Sequence, residues 1–119
     1  MLYLDDDESM IYLVSRLLAR RGFVVTGFSS QQQAIEALRD APDALDLVVT
    51  DYNMPGMSGL DVAREMRAIR GDLPIAIASG FVDETLRAKA DDAGVSAVIF
   101  KASGVEQFCA EIEKLVLHA

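Results

Sequence analysis

The sequence predicts an α/β protein: a (βα)5 doubly wound, five-stranded parallel sheet with helices on both faces. Short β-rich apolar runs alternate with amphipathic helical stretches five times along 119 residues. Several of those runs are apolar at nearly every position, which means burial on both faces, as in a parallel sheet between helical layers. No repeat, low-complexity block or linker interrupts the alternation, and right-handed crossovers turn such an order into an open sheet. Residues 1–119 are therefore expected to form a single domain, long enough to bury a core.

Leu2–Leu4 reads as the first strand. Met10, Leu13, Val14, Leu17 and Leu18 then recur at helical spacing, and Gly22 follows as a stop signal. Val24–Phe28 is the second strand, and Ser30 with Gln33 forms a capping box that opens the second helix. Leu45–Thr50 is the third strand; Ser58 with Asp61, a shorter acid than usual, opens the third helix. Pro74–Ala78 is the fourth strand. The helix around Asp83 to Asp92 is Ala-rich with Leu86 its only large interior aliphatic, so it should be the most loosely held. Ala97–Phe100 is the fifth strand, and Ser103 with Glu106 caps a last helix presenting Val105, Phe108, Cys109, Ile112 and Leu115 on one face.

A composition of 51% hydrophobic and 25% charged residues is that of a globular protein. The net charge of −8 argues against nucleic-acid binding by this domain and permits a cationic partner or a metal. No apolar run is long enough to span a membrane, and no basic region precedes a long apolar stretch. Neither a transmembrane segment nor a signal peptide is expected in this sequence, nor membrane contact by this domain, and the expected location is cytoplasmic. The single cysteine, Cys109, cannot form an internal disulfide, and its place in an apolar stripe reads as buried core. His118, at the chain end, carries no evident role.

In open α/β sheets the ligand crevice lies outside the carboxyl ends of the strands. Strand one ends at Asp5-Asp6 within the acidic run "YLDDDE", and strand three delivers Asp51 into "VVTDYNMPGMSG". Strand four ends at Ser79-Gly80 and strand five at Lys101. Singly, each has a plain explanation: acids after strands often cap helices, and a strand-end lysine is usually solvated. Together they place three carboxylates, a hydroxyl and an ammonium in one crevice, which reads as a functional site. Clustered carboxylates repel unless a cation joins them. An all-oxygen donor set without His or Cys points to a hard divalent ion, and a shallow site with room for water and phosphate suits Mg²⁺ better than Ca²⁺. A carboxylate can act as a nucleophile, as in aspartyl phosphates. Charge on the phosphoryl oxygens would then be neutralised by the metal and by an ammonium such as Lys101, with Ser79 donating a hydrogen bond to a third oxygen.

The set "DD", "DYNMPGMSG", "SG" and "K" at these intervals resembles a response-regulator receiver domain of two-component phosphorelay signalling, over essentially the whole chain. The resemblance implies the flavodoxin-like strand order 2-1-3-4-5 seen in chemotaxis regulators. It implies Asp51 as phospho-acceptor, with Mg²⁺ held by Asp6, Asp51 and the backbone carbonyl of Asn53, and by Asp5, which often acts through water. Ser79 and Lys101 take the positions that follow and bind the phosphoryl group. Met54-Pro55-Gly56 and Gly59 match the loop after the acceptor, where Pro and Gly shape a turn. Asp7 and Glu8 have no part in that scheme and are read as first-turn acids of helix one, favourable to its dipole.

Such a domain is a switch rather than an enzyme, beyond self-catalysed phosphoryl transfer and autodephosphorylation. Its implied partners are a histidine kinase or histidine phosphotransfer domain and an unknown output domain or protein, reached through helix four, strand five and helix five. The phrasing "MPGMSGLDVARE…ASG" resembles receivers attached to hybrid sensor kinases, and both a stand-alone protein and a part of a hybrid kinase or larger regulator stay open.

Three departures from the family qualify this. Ala102 follows Lys101 where proline, often cis, is usual; a cis bond to a non-proline costs about 3–4 kcal/mol, so trans is expected. Val98 stands where the family has an aromatic residue that rotates inward on activation. Phe81, two residues after Ser79, either shields the acyl phosphate from water or merely packs in its loop; with Asn53 it is a candidate for tuning hydrolysis. Ala102 also keeps open a degenerate receiver that binds partners without phosphorylation. An aspartyl-nucleophile phosphatase of the haloacid-dehalogenase type would want an acid two residues after the nucleophile, normally at the first strand; here Asn53 stands there and Asp51 lies mid-chain.

Overall fold

The computed structural model describes residues 1–117; His118 lies outside them. Five strands, β1 (Leu2–Leu4), β2 (Thr26–Phe28), β3 (Val48–Asp51), β4 (Ile75–Ser79) and β5 (Ala97–Phe100), alternate with five helices. These are α1 (Glu8–Arg20), α2 (Gln31–Asp40), α3 (Gly59–Ile69), α4 (Glu84–Asp92) and α5 (Val105–Leu117). Every pairing is parallel and the order is β2-β1-β3-β4-β5, the flavodoxin-like topology expected. Alternate side chains of each strand enter opposite cores. Leu2, Leu4, Val48, Ile75 and Ile77 pack with α2, α3 and α4, whereas Tyr3, Val49, Ala76, Ala78 and Ile99 pack with α1 and α5.

The helix ends follow the local chemistry, with corrections. The Asp7 carboxylate is the N-cap of α1, accepting from the amides of Ser9 and Met10, so of the two spare acids only Glu8 sits inside the helix. At the other end Gly22 has φ +92, and the amides of Gly22 and Phe23 bond back to Ala19 and Leu18. That closure needs a left-handed residue, which explains the stop signal. The apolar spacing places Leu13 on the inner stripe of α1, yet it is 45% exposed. One residue turns a helix by ~100°, so a stripe centred on buried Val14 and Leu18 carries Leu13 out of the core. At α3 the Ser58–Asp61 capping box is reciprocal, whereas at α2 only the Ser30 hydroxyl accepts, from the Gln33 amide at 3.2 Å. At α5 the expected Ser103 cap is displaced: the helix starts at Val105 and Phe108 N–H reaches the carbonyl of Gly104, whose φ is +101.

Strand bounds also shift. β2 is one edge of the sheet, pairs only over Leu2–Leu4, and leaves Val24 84% exposed. β3 begins at Val48 and includes Asp51; the chain before it is held by Arg70, which donates to the carbonyls of Pro42 and Leu45. β4 begins at Ile75, because Pro74 has no N–H to give the ladder and contributes only its carbonyl, to Val48. α4 buries only Leu86 and Ala90. Cys109 is fully buried, and burial pushes its thiol up to about 11. No described helix is long and apolar enough to cross a membrane.

Candidate functional site

The parallel ladder brings the carboxyl ends of β1, β3, β4 and β5 to one edge. The register Leu4↔Thr50 sets Asp5 beside Asp51, and the Lys101 amide donates to the Ser79 carbonyl at 2.8 Å, extending the β4–β5 pairing to the lysine. One oxygen from each of Asp5, Asp6 and Asp51 lies within 4.8 Å of the others. Asp5 and Asp51 are buried and Asp6 is exposed, so the cluster is open to solvent on one side. Oxygen donors of this kind are those that hard divalent cations take.

Lys101 joins the two buried acids. Its Nζ lies 2.9 Å from Asp5 Oδ2 and 3.3 Å from Asp51 Oδ1. Burial, then the charge of Asp5, pushes the Asp51 carboxyl up to about 6 from its ordinary 3.8, with Lys101 pulling the other way. Burial works to lower the pKa of the Lys101 ammonium, but the hydrogen bond and charge of Asp5 and the charge of Asp51 outweigh it and raise it. Burial and the neighbouring carboxylate thus leave Asp51 more basic than an ordinary carboxylate.

Ser79 and Phe81 are placed differently. The Ser79 hydroxyl donates to the Phe81 carbonyl at 2.7 Å and accepts from the Phe81 amide at 3.2 Å, so its proton is engaged within its own loop. The Phe81 ring is 72% exposed. With Tyr52, exposed Asn53, Gly80, Asp83, Leu86 and Lys89, these residues line a cleft of about 470 Å³ between the β3–α3 and β4–α4 loops. Lys101–Ala102 is trans, since no cis peptide bond occurs among the described residues. Val98 is half-buried against the α2–α4 core.

Three supports escaped the sequence reading. The Tyr3 hydroxyl donates to Asp5 Oδ2 at 2.6 Å; the signal was a polar tip two residues before an acid on a strand, hence on the same face. Gln31, the first residue of α2, donates to the carbonyls of Pro55 and Met57 at 2.8 and 3.1 Å and ties down the loop after Asp51. Gly59 reads as a turn residue, but its role is close approach. A Cβ there would collide with the carbonyl oxygen of Asp51, while its N–H donates to Tyr52.

A parallel 2-1-3-4-5 sheet with this acid and lysine arrangement at its edge defines a receiver domain of two-component signalling. Residues 1–113 match the response regulator receiver domain family, and the chain belongs to it. It is 31% identical over 115 residues to the response regulator receiver protein CpdR of Brucella abortus, covering 97% of this chain and 94% of that protein. To a two-component response regulator of Arabidopsis thaliana it is 35% identical over 78 residues, 66% of this chain but only 20% of that longer relative. A solved receiver domain protein of Clostridium thermocellum shares the fold, with a TM-score of 0.85 over 98% of this chain and 93% of that one at 24% identity.

Proposed function

We propose that residues 1–119 act as one phosphorylation-controlled switch domain, in which Asp51 accepts a phosphoryl group from the phosphohistidine of a histidine kinase or histidine phosphotransfer domain. The observation that carries this reading is Asp51 itself: a buried carboxylate at a strand end, raised in basicity, with Asp5 and Asp6 on one side and Lys101 Nζ at 3.3 Å. An Asp51 oxygen attacks phosphorus, the bond to the imidazole nitrogen breaks, and the imidazole keeps the electron pair. The acidic cluster fits Mg²⁺, which Asp6, Asp51 and the Asn53 backbone carbonyl would hold with Asp5 alongside. Bound there, it would neutralise charge on the phosphoryl oxygens.

This chain's own residues do the rest. Lys101 already touches Asp51 and takes a second phosphoryl oxygen by shifting from Asp5. Ser79 reaches a third only when its hydroxyl leaves the Phe81 carbonyl. That exchange releases the β4–α4 loop and biases the position of α4, whose burial rests on Leu86 and Ala90. Val98 has no ring to follow the motion, so the signal leaves through α4 toward β5 and α5 and an output domain or protein beyond. The net charge of −8 supports a domain that itself contacts neither nucleic acid nor an anionic membrane surface, and the reading places its work in the cytoplasm.

The test is incubation of the chain with Mg²⁺ and acetyl phosphate, followed by intact-mass measurement. One labile phosphoryl adduct, absent without Mg²⁺ and absent in Asp51→Asn, is expected. No uptake from acetyl phosphate or from a phosphohistidine donor overturns the proposal and leaves a phosphorylation-independent binding module. Repeated turnover of phosphate esters overturns it in favour of a phosphatase.

A further inference from the structure

Tyr3 heads the largest fully buried side chains of the protein, and its ring packs edge-on against Phe108 of α5 with centroids 6.1 Å apart. A phenylalanine would fill that space as well. The hydroxyl is explained only by Asp5, to which it donates at 2.6 Å.

The donors around Asp5 leave little of its carboxylate free. Each carboxylate oxygen accepts about two hydrogen bonds. On Oδ2 the Tyr3 hydroxyl takes one position and Lys101 Nζ, at 2.9 Å, takes the other. On Oδ1 the Asp7 amide takes one at 3.0 Å. Asp5 is fully buried, whereas Asp6 faces solvent. Tyr3 does this without adding charge, so the cluster keeps its attraction for a cation.

We propose that Tyr3 is a positioning residue whose hydroxyl closes Asp5 Oδ2 to direct metal ligation and reserves it for Lys101, biasing the site toward a small, water-rich divalent cation. The inference rests on reading Asp5, Asp6 and Asp51 as a divalent-cation site. Mg²⁺ keeps several waters and needs only one or two carboxylates, whereas Ca²⁺ gathers six to eight oxygens and favours bidentate carboxylates. An Asp5 with one oxygen fully occupied cannot serve as a bidentate ligand. The hydroxyl therefore selects against the larger ion.

Calorimetric titration of the unphosphorylated chain with MgCl₂ and, separately, CaCl₂ tests this in wild type and Tyr3→Phe. The variant keeps the ring and frees one acceptor position on Oδ2. Ca²⁺ affinity should rise about tenfold while Mg²⁺ affinity changes less than about threefold, narrowing the selectivity. Equal loss for both ions overturns the proposal, because the hydroxyl would then only orient a metal ligand; no change for either ion overturns it as well. If wild type binds no Mg²⁺, the cation reading itself fails, and this inference with it. Should Tyr3→Phe not fold by circular dichroism, Asp5→Asn and Asp6→Asn give the second measurement. Asp6→Asn should then weaken Mg²⁺ binding at least about tenfold more than Asp5→Asn, and an equal or reversed order overturns the proposal.

Discussion

The two sides of the acidic site are built in opposite ways. On the β1–β5 side the polar groups are committed to one another: Asp5 receives Tyr3, Asp7 and Lys101, and Lys101 also reaches Asp51. On the β4–α4 side the Ser79 hydroxyl bonds only its own loop, Phe81 is mostly exposed, and α4 hangs on Leu86 and Ala90. Local stability follows buried contacts and satisfied polar groups, so the first side should hold its geometry while the second rearranges at low cost. A switch needs both: a fixed frame to bind the incoming charge and a lightly held element to report it.

The comparison predicts that damage to the committed side abolishes function while damage to the open side only retunes it. Lys101→Met should act most strongly, slowing phosphoryl uptake from acetyl phosphate by ~10²-fold or more in single-turnover labelling. It should also cost about 2 kcal/mol in urea denaturation, because two buried carboxylates lose their shared ammonium. Gly59→Ala comes next. Its Cβ would press on the Asp51 carbonyl, backbone that cannot move aside cheaply, so a loss of about 2 kcal/mol and slower labelling are expected.

Asp51→Asn tests the electrostatics of the frame, and its sign is opposite. The folded-state value of about 6 lies above the ordinary 3.8, so the folded chain binds more protons between those values. Stability from this group is fully present below pH 3.8 and is lost as pH rises through 6. Without metal, Asp51→Asn should therefore be more stable than wild type by about 1 kcal/mol at pH 8, and the advantage should vanish by pH ~4 in thermal melts. Phe81→Ala should have the smallest effect on the fold, within about 0.5 kcal/mol, because the ring is exposed. If it shields the acyl phosphate, the phosphoryl lifetime shortens several-fold; an unchanged lifetime makes Phe81 a packing residue of its loop.

Legibility from sequence followed the same division. Continuous apolar strands reveal a parallel sheet, and a parallel sheet reveals where its strand-end acids and lysine meet, so Asp5, Asp6, Asp51 and Lys101 could be grouped without coordinates. The carboxylate–lysine distances are new, but the grouping is not. Features that depend on a single turn of chain or on one side chain's reach were not legible. Ser103 and Gly104 compete for one cap position, and φ decides between them. Leu13 and Leu17 look alike in an apolar stripe until the helix is docked. The Tyr3 hydroxyl leaves only a faint mark in the sequence, a polar tip two residues before an acid, because a tyrosine in a buried strand reads as bulk. Gly59 reads as a turn former, while its need for a missing Cβ arises only where α3 begins against the Asp51 backbone.

Amide hydrogen exchange on the chain before and after phosphorylation tests the division most directly, read by mass spectrometry of peptides with Asp51→Asn as the unmodified control. The account predicts altered exchange concentrated in residues 79–92, the β4–α4 loop and α4, with the amides of β1 and α1 unchanged. A change confined to β1 and α1, or spread evenly over the molecule, would contradict it.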